Sequence, residues 1–254
     1  MQFGAIIIGD EILSGKRQDK HLRRVIETLS IRGLPLAWAQ YLGDDAHLIT
    51  ETLHRTLAGT DVVLSFGGIG ATPDDHTRQC AARAAGVELR LHPQAEAEIR
   101  ARFVNDPVGA TPQRLAMGEF PAGSEIIPNA YNRIPGFSFG HHHFFPGFPE
   151  MAWPMMEWVL DTHYAHLFAP GSVAELSILV RGAGESQLIT LMNDCLARYR
   201  RVKVFSLPRI DPKDRHIELG VRGMPDEVNA AIASLKEGVS ALGFRWSDPA
   251  QPSL

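Results

Sequence analysis

Phe66-Gly67-Gly68-Ile69-Gly70-Ala71-Thr72-Pro73-Asp74-Asp75-His76-Thr77 follows an apolar run and precedes a helical one. Val62, Val63, Leu64 and Phe66 read as a short buried strand, and Cys80 to Ala85 continue beyond the loop as helix. Between them, three glycines let backbone N–H groups approach a ligand closely, the layout of an anion site at a strand-to-helix turn. Two carboxylates stand where the helix begins. One is accounted for as a cap on the helix's orphan donors. The pair together suits phosphate plus a divalent cation, because phosphate takes backbone donors and Mg²⁺ takes hard oxygen ligands. This is not a Walker loop, since no Lys-Ser or Lys-Thr follows the glycines. Nor is it a dinucleotide fingerprint: Gly67, Gly68 and Gly70 miss the Gly-x-Gly-x-x-Gly spacing and follow the third apolar strand, not the first.

Upstream, residues 3 to 9 form a continuous apolar strand, after which Leu22, Val25, Ile26 and Leu29 recur at helical spacing. Leu34 to Leu42 predicts a second strand, Leu48 to Leu57 a second helix, Asp61 to Phe66 a third strand and His76 to Ala85 a third helix. Such a series implies an α/β fold: a mostly parallel sheet covered on both faces, with ligands outside the strands' carboxyl ends. Downstream, Pro93 to Phe103 predicts another helix, and Asp106 to Gly140 reads as loops with short strands. Phe144 to Glu150 repeats the strand, glycine turn and helix order, with Met151, Met155 and Met156 on the apolar side of that helix, a core or subunit-contact face. Ala-Pro-Gly-Ser at 169 to 172 marks a boundary between a domain of residues 1–168 and a smaller α+β module of residues 171–254. In that module we expect a strand from Val173 to Val180, a helix from Glu185 to Arg198, strands near Val202 to Ser206 and His216 to Val221, and a helix from Asp226 to Leu242.

The chain has 254 residues, 44% of them hydrophobic, enough for two cores. Its net charge of −4 offers no general attraction to nucleic acid or to an anionic membrane, which leaves small molecules as the expected ligands. The only cysteines, Cys80 and Cys195, both lie in helical patterns, so neither a disulfide framework nor a thiolate metal site is expected, and a reducing cytoplasm fits. No apolar run approaches membrane-spanning length, and no basic region with a long apolar core opens the chain. His141, His142 and His143 alternate in direction if they form a strand, so they cannot share one metal there; a hairpin turn is the expected placement. Arg114 and Arg133 are secondary candidates for pairing with a diphosphate.

Four motifs in order resemble the molybdopterin-binding fold shared by MogA and MoaB, and more closely the first two domains of the CinA family. Gly9-Asp10-Glu11-Ile12-Leu13-Ser14-Gly15 is similar to that family's Gly-Thr-Glu-Leu-Leu-x-Gly, and Gly43-Asp44 to its Gly-Asp. The stretch from Gly67 to Thr77 resembles its Gly-Gly-Leu-Gly-Pro-Thr-x-Asp-Asp-x-Thr, and Pro146 to Pro149 its Pro-Gly-Pro-Pro. Gly182 to Ser186 resembles the start of the CinA middle-domain helix. The chain departs at Ala71 and Phe148, where the family commonly has Pro, and at Asn129 to Gly136, where Asn132 and Arg133 bring larger side chains to the loop over the ligand. The resemblance does not extend to the deamidase domain that often follows in CinA, so deamidation is not expected of this chain.

The resemblance implies a metal-dependent hydrolase of a dinucleotide diphosphate such as ADP-ribose. Its alternatives are molybdopterin binding or adenylylation, and a non-catalytic nucleotide-binding module. It implies a divalent cation, Mg²⁺ or Co²⁺, with K⁺ a further candidate, and a homodimer. Asp74 and Asp75 are the expected cation ligands; Asp10 or Glu11 positions the ligand and Asp44 supports it. Gly67, Gly68 and Gly70 are expected to hold phosphate, with Thr72 and Thr77 adding hydroxyl donors, Asn132 on the covering loop and Gly147 letting a second loop approach. The smaller module is similar to the KH-like middle domain of CinA. Its Gly220-Val221-Arg222-Gly223 is expected between a strand and a helix, the wrong context for an RNA-gripping loop. Residues 171–254 carry 11 Lys and Arg against 10 Asp and Glu, no excess of the kind RNA binding would favour.

Overall fold

The computed structural model describes residues 1–209 and 215–249. The chain divides into two units, Met1–Phe168 and Ala169–Leu254. In the first, β1 (Phe3–Ile8) leads through a one-turn α1 (Asp10–Leu13) to α2 (His21–Ile31), β2 (Leu36–Leu42), α3 (Ala46–Leu57), β3 (Val62–Phe66) and α4 (Thr77–Ala85). Then come β4 (Leu89–Leu91), α5 (Pro93–Arg102), α6 (Pro112–Ala116), β5 (Glu119–Pro121), β6 (Glu125–Ile127), β7 (Gly136–Phe139), β8 (His142–Phe145) and α7 (Pro149–His163). Six strands form one sheet in the order β2-β1-β3-β8-β7-β6. The first four are mutually parallel, and β7 and β6 complete the edge as antiparallel strands.

Every residue of β1 and of β3 is buried, because helices cover both faces. Ala5 and Ile7 of β1 join Val25, Leu29 and Met155 on the α2 and α7 side. Ile6 and Ile8 join Ile49, Leu53 and Cys80 on the α3 and α4 side. Side chains alternate along a strand, so one apolar run feeds both cores. Because β2, β1, β3 and β8 run the same way, the segments after their carboxyl ends share one edge of the sheet. Those segments are Gly43-Asp44, Gly9 to Glu11, Gly67 to Thr77, and Pro146 to Phe148.

The histidine run is a correction to its expected hairpin placement. Only His141 lies in the turn, whereas His142 and His143 belong to β8 and are each 2% exposed. They point to opposite faces: His142 Nε2 meets Thr56 Oγ1 at 2.9 Å, and His143 bridges Ser138 Oγ at 2.8 Å and the Tyr164 hydroxyl at 2.7 Å. Hydrogen bonds satisfy these polar rings inside the sheet, which local sequence pattern does not register.

The second unit contains β9 (Ala174–Arg181), α8 (Ile189–Arg198), β10 (Val202–Arg209), β11 (His216–Gly223), α9 (Pro225–Ala241) and β12 (Arg245–Ser247). The sheet order is β10-β11-β9-β12, all antiparallel. Ile178, Val180, Leu219 and Val221 pack with Val228, Leu235 and Val239 of α9. Here too an expectation is corrected: Gly220 to Gly223 lies within β11, paired on both sides, and forms no loop. Gly220 admits the Phe205 ring, which would lie 2.1 Å from any Cβ added there. Among the described residues no helix is long and apolar enough to cross a membrane.

Candidate functional site

Four carboxylates of the first unit line one cavity of about 640 Å³: Asp10, Glu11, Asp44 and Asp74, together with Ser14 and Lys16. Asp10 and Glu11 open α1 instead of lying in a loop, and they share its first turn. Asp10 and Asp44 brace each other through their backbones. Asp10 N–H donates to Asp44 Oδ2 at 2.8 Å, and Asp44 N–H donates to Asp10 Oδ1 at 3.2 Å. Burial pushes the Asp44 carboxyl above its usual range, and the charges of Asp10, Glu11 and Asp74 push the same way, against the downward pull of the Asp10 N–H bond. Like charges crowded in this manner would be relieved by a cation.

The adjacent aspartates part company. Asp74 faces the cavity, whereas Asp75 turns back into its own loop, accepting from Thr72 N–H at 2.8 Å and from Thr72 Oγ1 at 2.5 Å. Its Oδ2 lies 2.5 Å from where a Cβ on Gly70 would stand. Asp75 therefore shapes the loop, and the Thr72 hydroxyl is held between the two aspartates, donating to Asp75 and holding the Asp74 carboxyl below its usual range. Thr77 is likewise committed: it is fully buried and donates to Gly67 O at 3.0 Å. Neither hydroxyl is a free donor for a ligand in this arrangement.

Backbone donors take that part. Gly67 N–H bonds Phe145 O and Thr72 N–H bonds Asp75, but the four N–H groups between them, from Gly68 to Ala71, have no acceptor within the described residues. Successive unpaired N–H groups in a glycine turn form a concave anion site. Gly147 closes on this turn from the second loop, and a Cβ placed there would lie 3.6 Å from Gly67 Cα.

A residue outside the predicted set holds the second loop in place. His21, at the start of α2, is 5% exposed, stacks on Phe66 with centroids 4.6 Å apart, and meets Gly147 O at 3.1 Å through Nε2. A carbonyl can only accept, so Nε2 carries the proton and Nδ1, buried without a partner, keeps its lone pair. Burial lowers the ring's pKa, opposed by the Gly147 bond and by the charges of Asp19 and Glu150. His21→Phe would keep the stack and lose the tether. We expect faster amide exchange at residues 146–148 and a stability loss of about 1–2 kcal/mol, read by hydrogen exchange and urea titration; unchanged exchange there would show that the tether does not hold the loop.

The arginine candidates have partners. Arg133, with φ of 61°, pairs with Glu98 at 2.8 Å, and Arg114 pairs with Asp106 at 2.9 Å while lying over the Phe103 ring. Asn132 is used to build its own loop, its Oδ1 accepting from Asn129 Nδ2 at 2.8 Å and from Ile134 N–H at 2.9 Å. That loop borders a second cavity of about 780 Å³ lined by Tyr131, Arg133, Met151 and Trp158. Among the described residues, no three acidic, histidine or cysteine side chains are grouped tightly enough to hold an ion unaided.

Residues 4–166 match the family described as a probable molybdopterin binding domain. A protein of Aeropyrum pernix is 30% identical over 255 residues, covering 96% of this chain and 95% of that one. A CinA-like protein of Anaeromyxobacter sp. (strain K) is 33% identical over 165 residues, which are 63% of this chain but 40% of that protein. The chain thus spans well under half the length of that CinA-like relative. Among solved structures, the protein CinA of Thermoplasma acidophilum, described as of unknown function, superposes with a TM-score of 0.57 at 27% identity, covering 63% of this chain and 96% of that one.

Proposed function

The chain belongs to the molybdopterin-binding domain family through residues 4–166, and from that premise we propose that its glycine rim binds the diphosphate of a nucleotide and hydrolyses it with the help of a divalent cation. The observation that carries this reading is the pairing of unlike halves on one sheet edge: the free N–H groups of Gly68 to Ala71 on one side, and the carboxylates of Asp10, Glu11, Asp44 and Asp74 on the other. Phosphate oxygens need donors that require no reorganisation, which fixed backbone N–H groups supply. Diphosphate also repels carboxylates, so an acidic rim beside such donors makes chemical sense when a cation lies between them.

The donor set fits Mg²⁺ or Co²⁺. Mg²⁺ is commonly held by one or two carboxylates plus substrate phosphates, not by a closed protein cage, so a rim with no complete ligand group of its own is compatible with it. Asp74 and either Asp10 or Glu11 would hold the ion, with Asp44 fixing Asp10 through their reciprocal bonds. When bound, the cation neutralises the departing phosphate and acidifies a coordinated water. The chain's own contribution is to orient the diphosphate on the 68–71 donors and to keep the carboxylates at the correct edge.

Asp44→Asn and Asp74→Asn are each expected to lower Mg²⁺-dependent hydrolysis of ADP-ribose, FAD or NAD by about 100-fold or more, while leaving the fold intact by circular dichroism. Wild-type turnover that neither change reduces would remove the acidic rim from the reaction. The family description itself favours a second reading, in which the same pocket binds a phosphorylated pterin without cleaving it. Retention of a fluorescent pterin by a protein that hydrolyses none of the three dinucleotides would select that reading.

A further inference from the structure

Arg78 is 3% exposed at the first turn of α4, and among the described residues it makes no ion pair. A buried guanidinium without a paired carboxylate is expensive, so its donors must be used well. They are spent on main-chain carbonyls. Nε donates to Ile69 O at 3.1 Å, Nη2 to Gly70 O at 2.8 Å, and Nη1 to Ala116 O and, at 3.4 Å, to Glu119 O. Asp75 and Glu119 act on it only through their charges, and burial pulls its pKa down.

In a trans peptide the C=O and the following N–H point in opposite directions, and no cis peptide occurs among the described residues. Drawing the Ile69 carbonyl toward Arg78 therefore turns Gly70 N–H away from it, and drawing the Gly70 carbonyl does the same to Ala71 N–H. These are two of the four N–H groups that lack an acceptor. We propose that Arg78 is the positioning residue of the phosphate loop: it grips the loop's carbonyls from behind so that the Gly70 and Ala71 N–H groups face an incoming diphosphate. The inference rests on the phosphate reading above and extends it to a residue that meets no ligand. The flat fork of a guanidinium can serve four carbonyls in three directions, whereas the three donors of a lysine sit on one atom and cannot.

The test titrates inorganic pyrophosphate, with Mg²⁺, into the full chain as wild type, Arg78→Lys and Arg78→Gln, using calorimetry and amide NMR. We expect the wild type to show its largest amide shifts at Gly70 and Ala71, and folded variants to bind on the order of tenfold to a hundredfold more weakly. In Arg78→Lys those two amides should also lose their fixed environment before any ligand is added, which a purely core-packing role would not produce. Variant binding equal to wild type, with the same shifts, overturns the role of Arg78 and leaves the phosphate reading standing. Wild-type protein that binds no pyrophosphate overturns both. If neither variant folds, the wild-type map decides: shifts that miss Gly70 and Ala71 reject the proposal, and shifts centred on them, accompanied by movement of the Arg78 Nε–H resonance, support it.

Discussion

Gly67→Ala is expected to destabilise the unit of residues 1–168 by about 3–5 kcal/mol and to abolish phosphate binding in whatever folded protein remains. Gly67 has φ of 102°, and a Cβ there would stand 2.3 Å from Ile8 O. The obstacle is main chain from the end of β1, which cannot move without pulling β1 away from its neighbours. The same residue donates N–H to Phe145 O at 3.0 Å and accepts the Thr77 hydroxyl at 3.0 Å, so the two peptide groups flanking Gly67 tie the end of β3 to β8 and to α4. Backbone strain of about 1–3 kcal/mol and a steric clash of similar size add because they arise from different atoms. Gly15→Ala is the control. Gly15 also has positive φ, 72°, but faces open space, so its cost is the backbone term alone, about 1 kcal/mol. Urea titration at pH 7, following Trp38, Trp153 and Trp158, reads the transition of this unit. Equal midpoints for the two variants would mean that the rim yields where we take it to be rigid.

The order of elements was legible because period carries it. β1 is a short apolar run and β3 is one interrupted only by Ser65, and the helices between them repeat at 3.6 residues, so an alternating α/β series with a mostly parallel sheet follows from pattern alone. From that series the carboxyl-end rule places Asp10, Glu11, Asp44 and Asp74 on one edge of the sheet. What pattern cannot express is which way a loop side chain turns. Asp74 and Asp75 are the same residue type one position apart, yet only the folded Thr72 to Asp75 turn decides that one faces the cavity and the other its own backbone. Arg78 has the spelling of a solvated helix residue, and nothing local reveals that its partners are carbonyls, two of them about 40 residues away. His21 is hidden for the same reason, since its partner lies 126 residues along the chain. The strands Gly136–Phe139 and Arg245–Ser247 are too short for alternation to speak, and the register of each comes from a neighbour.

Acid should weaken the first unit well above the pH at which carboxylates titrate, because two imidazoles are buried neutral. Burial lowers the pKa of His143 to about 3, with further depression from His163, His142 and His141, and burial lowers that of His142 to about 4, helped by His141. In the unfolded chain both return to about 6.5. Between those limits the unfolded state binds protons that the folded state refuses, so stability rises with pH across the window. The contribution is fully present above pH 6.5 and is lost progressively down to about pH 4 for His142 and about pH 3 for His143. Between pH 7 and pH 5 the loss is about 2 kcal/mol per histidine, and His21, shifted in the same direction, adds to it. The bonding pattern agrees: His143 is held between Ser138 and Tyr164, both of which can supply or accept a proton, and burial lifts the Tyr164 hydroxyl to about 12, so no ionised partner is available to stabilise an imidazolium. His142→Gln keeps a group able to bond Thr56 but cannot be protonated, and His143→Gln does the same toward Ser138. Urea midpoints measured every half unit from pH 7.5 to pH 5 should fall steeply for the wild type, less so for either single variant and least for the double variant. A wild-type midpoint that stays level across that range would mean that both rings are protonated in place, and the hydrogen bonds assigned here to neutral tautomers would have to be redrawn.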